Sequence, residues 1–222
     1  MRQPYWRKLY SYFRPVHLEQ TSSLINTELD VVLSNGQYQL LTETAIYSYG
    51  ILYDNFTKVF EHLPLDTMPI EEVLVLGLGL GSIPQMLEQK FRKRYYYTCI
   101  ELDEEVIRLA DKYVLSDLVS PMDVVGTDAM DFVFVTEQIF DMICVDVFVD
   151  SKTPSDFRHP AFISRITELL APHGVVIYNC LGESQVDKNA AQDFYDAVFC
   201  PAFPRAELLP LATNVMLIGY GT

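Results

Sequence analysis

The stretch Val73-Leu74-Val75-Leu76-Gly77-Leu78-Gly79-Leu80-Gly81-Ser82-Ile83-Pro84 limits this chain to a small set of folds. A short apolar run closed by glycines reads as a buried parallel strand that ends in a tight turn. Beyond the turn the register becomes helical through Ile83, Met86 and Leu87. Glycines at that junction let a ligand lie against the backbone, and the helix start offers free N–H groups and the positive end of a dipole. An α/β sheet binds nucleotides at such a turn.

The spacing is Gly-x-Gly-x-Gly, not the Gly-x-Gly-x-x-Gly of the dinucleotide fingerprint. The next segment therefore matters. Tyr95-Tyr96-Tyr97-Thr98-Cys99-Ile100 is β-prone and leads into Glu101-Leu102-Asp103. A carboxylate at the tip of a second strand, 24 positions after Gly77, can accept both hydroxyls of an adenosine ribose. Glu101 has the competing role of helix cap, but Asp103, directly before Glu104-Glu105, suits that role better.

Strand and helix patterns alternate from Val73 onward. Strands are expected at 73–76, 95–100, 122–125, 140–146, 174–179 and 214–220, and helices at 82–91, 104–114, 128–137, 159–170 and 187–198. Alternation of this kind gives a doubly wound, mostly parallel sheet. The last strand follows Leu208–Leu211 closely enough to pair as an antiparallel C-terminal edge. The first part differs. Asn35-Gly36 between 24–33 and 37–41 signals a β-hairpin. Tyr47 to Leu63 has helical spacing, and Pro64 and Pro69 bracket a linker. The division expected is an N-terminal hairpin and helix region, 1–65, and a nucleotide-binding domain, 66–222.

Bulk properties narrow the partners. The 222 residues carry 30 acids and 16 bases, for a net charge of −14. That balance opposes a nucleic-acid partner, which needs a concentrated basic face. Arg2, Arg7, Lys8 and Arg14 cluster among aromatic residues at the start, as a docking segment or a homodimer contact would. No apolar stretch is long enough for a membrane span and no export signal follows the basic start, so a cytoplasmic location is expected. Cys99, Cys144, Cys180 and Cys200 lie singly and the four His are scattered, which points to buried thiols and to no metal.

Two further acids complete a constellation: Asp128 after Val124-Val125-Gly126-Thr127, and Asp146 after Phe140–Val145. In an open α/β sheet ligands lie over the carboxyl ends of the strands, so Gly77–Gly81, Glu101, Asp128 and Asp146 should converge.

With these residues placed, the chain resembles the spermidine synthase family, within the Rossmann-like class I S-adenosylmethionine-dependent methyltransferase fold and its seven-stranded sheet. The resemblance implies a cofactor site at Gly77, Gly79, Leu80, Gly81, Glu101, Leu102, Asp128, Ala129 and Asp146. Glu101 would take the ribose, and Gly126-Thr127-Asp128-Ala129, with one residue inserted, would take the adenine. Asp146 would help deprotonate an attacking amine. The family's Ser-Tyr-Gln segment is matched by Ser48-Tyr49, with Gly50 in place of Gln. Asp146, Tyr49 and Asp150 are thus the catalytic candidates.

The departures are specific. The family's carboxylate inside the glycine loop is Leu80 here, and its Asp-Ser-x-Asp-Pro is Asp146-Val147-Phe148-Val149-Asp150-Ser151, with the second Asp absent or displaced by one residue. Removing a carboxylate beside an ammonium forfeits roughly 1–4 kcal/mol at a partly desolvated site. The expected activity is transfer of an aminopropyl or a methyl group from decarboxylated S-adenosylmethionine or S-adenosylmethionine. The acceptor would be a small amine such as a polyamine. The alternative is an adenosyl-binding relative without turnover, a structural or regulatory oligomer. A nicotinamide-dependent oxidoreductase would share the glycine turn and the acid but would give Asp128 no role.

Overall fold

Asn35 and Gly36 reverse the chain with positive φ values of 51° and 75°, the backbone twist that a two-residue hairpin requires. In the computed structural model, which describes residues 4–43, 46–148 and 154–221, this turn is the centre of a four-stranded antiparallel sheet. A short helix α1 (Tyr5–Tyr10) comes first. The sheet follows as β1 (Val16–Thr21), β2 (Leu29–Ser34), β3 (Gln37–Leu41) and β4 (Ile46–Ser48), in that spatial order. The expected first strand of the hairpin begins at residue 29 rather than 24.

The helix expected over Tyr47–Leu63 is shorter. Ser48 pairs with Leu40 as part of β4, and Gly50 takes a φ of 53° within a 3-10 turn. Only α2 (Asp54–His62) is α-helical. β-Pairing and a left-handed glycine override the apolar spacing before Asp54.

The main sheet is then built in βα steps. The elements are β5 (Glu72–Leu76), α3 (Ser82–Gln89), β6 (Tyr96–Glu101), α4 (Glu104–Tyr113), β7 (Met122–Gly126), α5 (Ala129–Val135) and β8 (Phe140–Val145). α6 (Pro160–Leu169), β9 (Leu170–Leu181), α7 (Gln185–Phe194), β10 (Glu207–Pro210) and β11 (Asn214–Tyr220) complete it. The spatial order is β7-β6-β5-β8-β9-β11-β10. β5 to β9 pair in parallel, and β11 pairs antiparallel with both neighbours, so the C-terminal hairpin ends the sheet with β10 outermost.

β5 is apolar throughout because it is buried on both faces. Val73 and Val75 join one core with Phe56, Phe60, Leu33 and Leu40, whereas Leu74 and Leu76 join a second with Phe162, Ile166 and Tyr178. The small sheet is fastened along α4. Glu19 accepts from Arg108 Nη2 (2.7 Å), Lys112 Nζ (2.6 Å) and the Tyr113 hydroxyl (2.6 Å). Thr21 Oγ1 donates to Glu105 (2.8 Å), and Ser23 and Asn26 donate to Asp103. Burial pushes the Glu19 carboxyl up, but those donors outweigh it and hold it at about 2.

Candidate active site

The strand order reverses between β5 and β8, and an open sheet of this type places its ligand crevice at that reversal. Gly77, after β5, and Asp146, after β8, meet there. Gly77 has a φ of 90°, and a Cβ added to it would lie 2.3 Å from the Asp146 carbonyl oxygen. Both the backbone conformation and the space demand glycine. Gly77→Ala is expected to cost at least about 3 kcal/mol or to prevent folding. Gly126→Ala, whose Cβ would meet only Ile107 Cδ1 at 3.4 Å, is the control. Equal melting temperatures for the two variants would refute this account.

A cleft of about 1170 Å³ opens over these strand ends. Gly77, Gly79, Glu101, Leu102, Asp128, Ala129, Asp146 and Tyr49 all line it. Leu80 and Gly81 of the expected site are not among its lining residues. Leu80 is 1% exposed and lies in the core cluster of Ile83 and Met86. Gly81 is the left-handed N-cap of α3 at φ 87°. The alternate-glycine loop turns Leu80 away from the cleft, as an apolar side chain beside a buried helix requires. Asp150 lies outside the described residues.

Glu101 is held by backbone donors: Gly79 N to Oε2 at 3.2 Å, and Leu102 N and Asp103 N to Oε1 at 2.9 and 3.1 Å. Burial pushes its carboxyl up, and those three bonds oppose the push. The carboxylate thereby ties the glycine loop to the tip of β6. Asp103, not Glu101, caps α4 by accepting from Glu105 N at 2.9 Å. Asp128 both lines the cleft and caps α5, taking Met130 N at 2.7 Å and Asp131 N at 3.4 Å on Oδ1. The Tyr49 hydroxyl accepts from Asn35 Nδ2 at 2.7 Å, which anchors that ring to the hairpin turn.

Asp146 has partners absent from the sequence reading. The Tyr53 hydroxyl donates to Oδ1 at 3.1 Å and Asn179 Nδ2 donates to the same oxygen at 2.8 Å. Burial pushes the carboxyl up to about 7, with the Asn179 and Tyr53 bonds opposing and the nearby Glu101 charge adding to the rise. Asn179 carries a legible signal, an amide in the apolar run Val175–Cys180. Tyr53 carries none. Asn26, from the β1–β2 loop, also reaches the cleft wall.

The electrostatics of the cleft are one-sided. Asp54, Glu101, Asp103, Asp128, Asp146, Asp156, Glu183 and Asp187 line it, and no Lys, Arg or His is among the described lining residues. Low-dielectric walls of one charge sign focus the field and concentrate ligands of the opposite sign.

Comparison with known proteins agrees with this fold. The spermine/spermidine synthase domain family matches residues 54–217. A probable polyamine aminopropyl transferase of Bifidobacterium longum is 28% identical over 106 residues, which cover 48% of this chain and 23% of that protein. An eEF1A lysine and N-terminal methyltransferase of Bos taurus is 29% identical over 120 residues, 48% of this chain and 17% of the relative. The matches thus span less than a quarter of either curated relative. A spermidine synthase solved in complex with the transition-state analogue AdoDATO superposes with a TM-score of 0.72 at 16% identity, covering 93% of this chain and 74% of that one. With the family match running from α2 through the glycine turn and the four strand ends into β11, the chain belongs to the spermine/spermidine synthase family.

Proposed function

We propose that this chain is an alkyl transferase that takes an adenosyl-sulfonium donor and passes an aminopropyl group to a small amine. The cleft lined by eight acidic side chains, without a Lys, Arg or His among its described residues, carries the reading. A sulfonium, an ammonium and an amine acceptor all bring positive charge to it. A donor with its own carboxylate would find no cationic side chain there among the described residues, which favours the decarboxylated form. The same wall opposes a pyrophosphate, so a nicotinamide dinucleotide fits poorly.

The residues fit the donor. The glycine turn lets Gly77 close against the Asp146 backbone, so that both line the cleft; Glu101 would take the ribose, and Asp128 and Ala129 the adenine. The donor supplies an activated carbon beside its sulfonium, so positioning contributes most of the acceleration. The amine nitrogen forms the new C–N bond as the C–S bond breaks, the electron pair stays on sulfur, and methylthioadenosine leaves. Asp146 accepts the proton that the amine loses; a carboxyl held at about 7 is matched to that task near neutral pH. Tyr49 walls the acceptor side. The exposed Tyr5, Trp6 and Phe13 around α1 support a homodimer contact.

Methyl transfer is the second reading, and the apolar Leu80 favours it, because no carboxylate in the glycine loop selects a decarboxylated donor. Thermal shift separates the two. Decarboxylated S-adenosylmethionine, S-adenosylmethionine, methylthioadenosine and NAD are each added to 100 times the expected dissociation constant, where a true ligand adds about 2.7 kcal/mol. The decarboxylated donor should give the largest shift, and product should form with putrescine-like amines. A larger shift with S-adenosylmethionine moves the reaction to methyl transfer. Binding without product, across the amines, leaves an adenosyl-binding protein without turnover. No shift with any adenosyl-sulfur compound removes the proposal.

A further inference from the structure

Asn179 is 1% exposed near the C-terminal end of β9, between Tyr178 and Cys180, which are themselves buried. A buried amide is costly unless its donors and acceptor are met. They are met in a directed chain. Thr213 Oγ1 donates to Asn214 Oδ1 at 2.8 Å, Asn214 Nδ2 to Asn179 Oδ1 at 2.8 Å, and Asn179 Nδ2 to Asp146 Oδ1 at 2.8 Å. Reversing the Asn179 amide would set its oxygen against the carboxylate and its NH₂ against the Asn214 donor. The carboxylate, which only accepts, therefore fixes the sense of Asn179, and Asn214, 8% exposed at the start of β11, satisfies its oxygen.

We propose that Asn179 is a positioning residue for Asp146. Braced by Asn214, it occupies Oδ1 together with the Tyr53 hydroxyl, and so leaves Oδ2 as the oxygen that takes the proton of the acceptor amine. This rests on the reading of Asp146 as the base. Packing alone does not call for the chain, because replacing a buried hydrogen-bonded pair by apolar groups of the same shape is close to neutral. The titratable groups that face Asp146 are Tyr53 at the start of α2, Glu101 at the end of β6 and Cys144 on β8. Tyr53 and Cys144 are both pushed further up by burial and stay neutral near pH 7. Glu101 acts in the opposite sense to Asn179.

The test uses Asn179→Leu and Asn214→Leu in the full chain, each with and without Asp146→Asn. The pH dependence of the melting-temperature difference within each pair reads the Asp146 titration without substrate. In Asn179→Leu its midpoint should rise from about 7 by about one pH unit or more, a loss of about fivefold or more of ionised base at neutral pH. Asn214→Leu should shift it in the same direction by less, and decides the matter if Asn179→Leu does not fold. In turnover, kcat at neutral pH should fall about fivefold or more with KM for the donor within about twofold. A midpoint unmoved in the variant that folds overturns the proposal. If the wild-type chain alkylates no amine, the transfer reading falls while the titration still decides whether Asn179 positions Asp146.

Discussion

Asp146→Asn is expected to lower kcat by about 10²-fold or more and, in the same molecule, to raise the melting temperature above neutral pH. The two effects share one cause. Burial pushes the Asp146 carboxyl up to about 7, whereas in the unfolded chain it titrates near 3.9. A carboxyl raised by folding stabilises the native state while it is protonated. That contribution is complete below the unfolded value and disappears as the pH rises through about 7. Asparagine resembles the protonated, neutral side chain, and its oxygen can still accept from Tyr53 and Asn179. At pH 4 the two proteins should melt together. At pH 8 the variant should be the more stable, by up to about 4 kcal/mol if the whole difference were realised. Half of that would move the melting temperature by about 4–8 °C for a domain of this size. A melting-temperature gain that is the same at pH 4 and pH 8 would refute the buried-carboxylate account. Full activity in the variant would remove Asp146 from the chemistry. Sites that hold a destabilised charge for function often show this opposition of activity and stability.

The parts of the fold legible in the sequence are those where local chemistry and tertiary demand agree. Val73–Leu76 is apolar on both faces and lies in the middle of the sheet, and the glycine after it is required by both φ and space. Asn35-Gly36 forms the turn it signals, and Asp103 caps α4. The parts that are not legible depend on partners far away in the chain. β1 alternates apolar residues only over Val16 and Leu18, and beyond the register shift between His17 and Glu19 its bonds to α4 are the polar ones of Glu19 and Thr21. Leu80 occupies the position that the family resemblance assigns to a ligand-facing acid, yet an apolar side chain there is free to turn into the core, and it does. Tyr53 reaches Asp146 across 93 positions and Asn214 reaches Asn179 across 35. No periodicity encodes either bond. The loop carrying Ser23 and Asn26 enters the site through Asp103, so part of the cleft wall is specified by the cap of a helix in the other sheet's layer.

Glu101→Gln should remove adenosyl binding while leaving most of the fold intact. The carboxylate takes three backbone N–H donors with its two oxygens, and an amide has only one oxygen to offer. Whichever way the glutamine side chain turned, its NH₂ would face either Gly79 N–H or the Leu102 and Asp103 N–H pair, and the glycine loop would lose its tie to β6. A charge-assisted bond to a ligand hydroxyl is lost as well, at about 1.5–3 kcal/mol. The dissociation constant for methylthioadenosine should therefore rise by about 10²-fold, and the thermal shift it produces should nearly vanish. In the wild-type chain affinity should also fall on acidification, beginning above the usual glutamate range, because burial raises the Glu101 carboxyl and, on the proposed reading, only its ionised form would accept both ribose hydroxyls. The glutamine variant should show no such dependence. Asp146→Asn provides the contrast, since it should keep methylthioadenosine binding and lose transfer. If Glu101→Gln binds methylthioadenosine within about twofold of wild type, against the cost expected for a lost charged bond, the acid at the tip of β6 is only a brace for the glycine turn, and the ribose must be held elsewhere in the cleft.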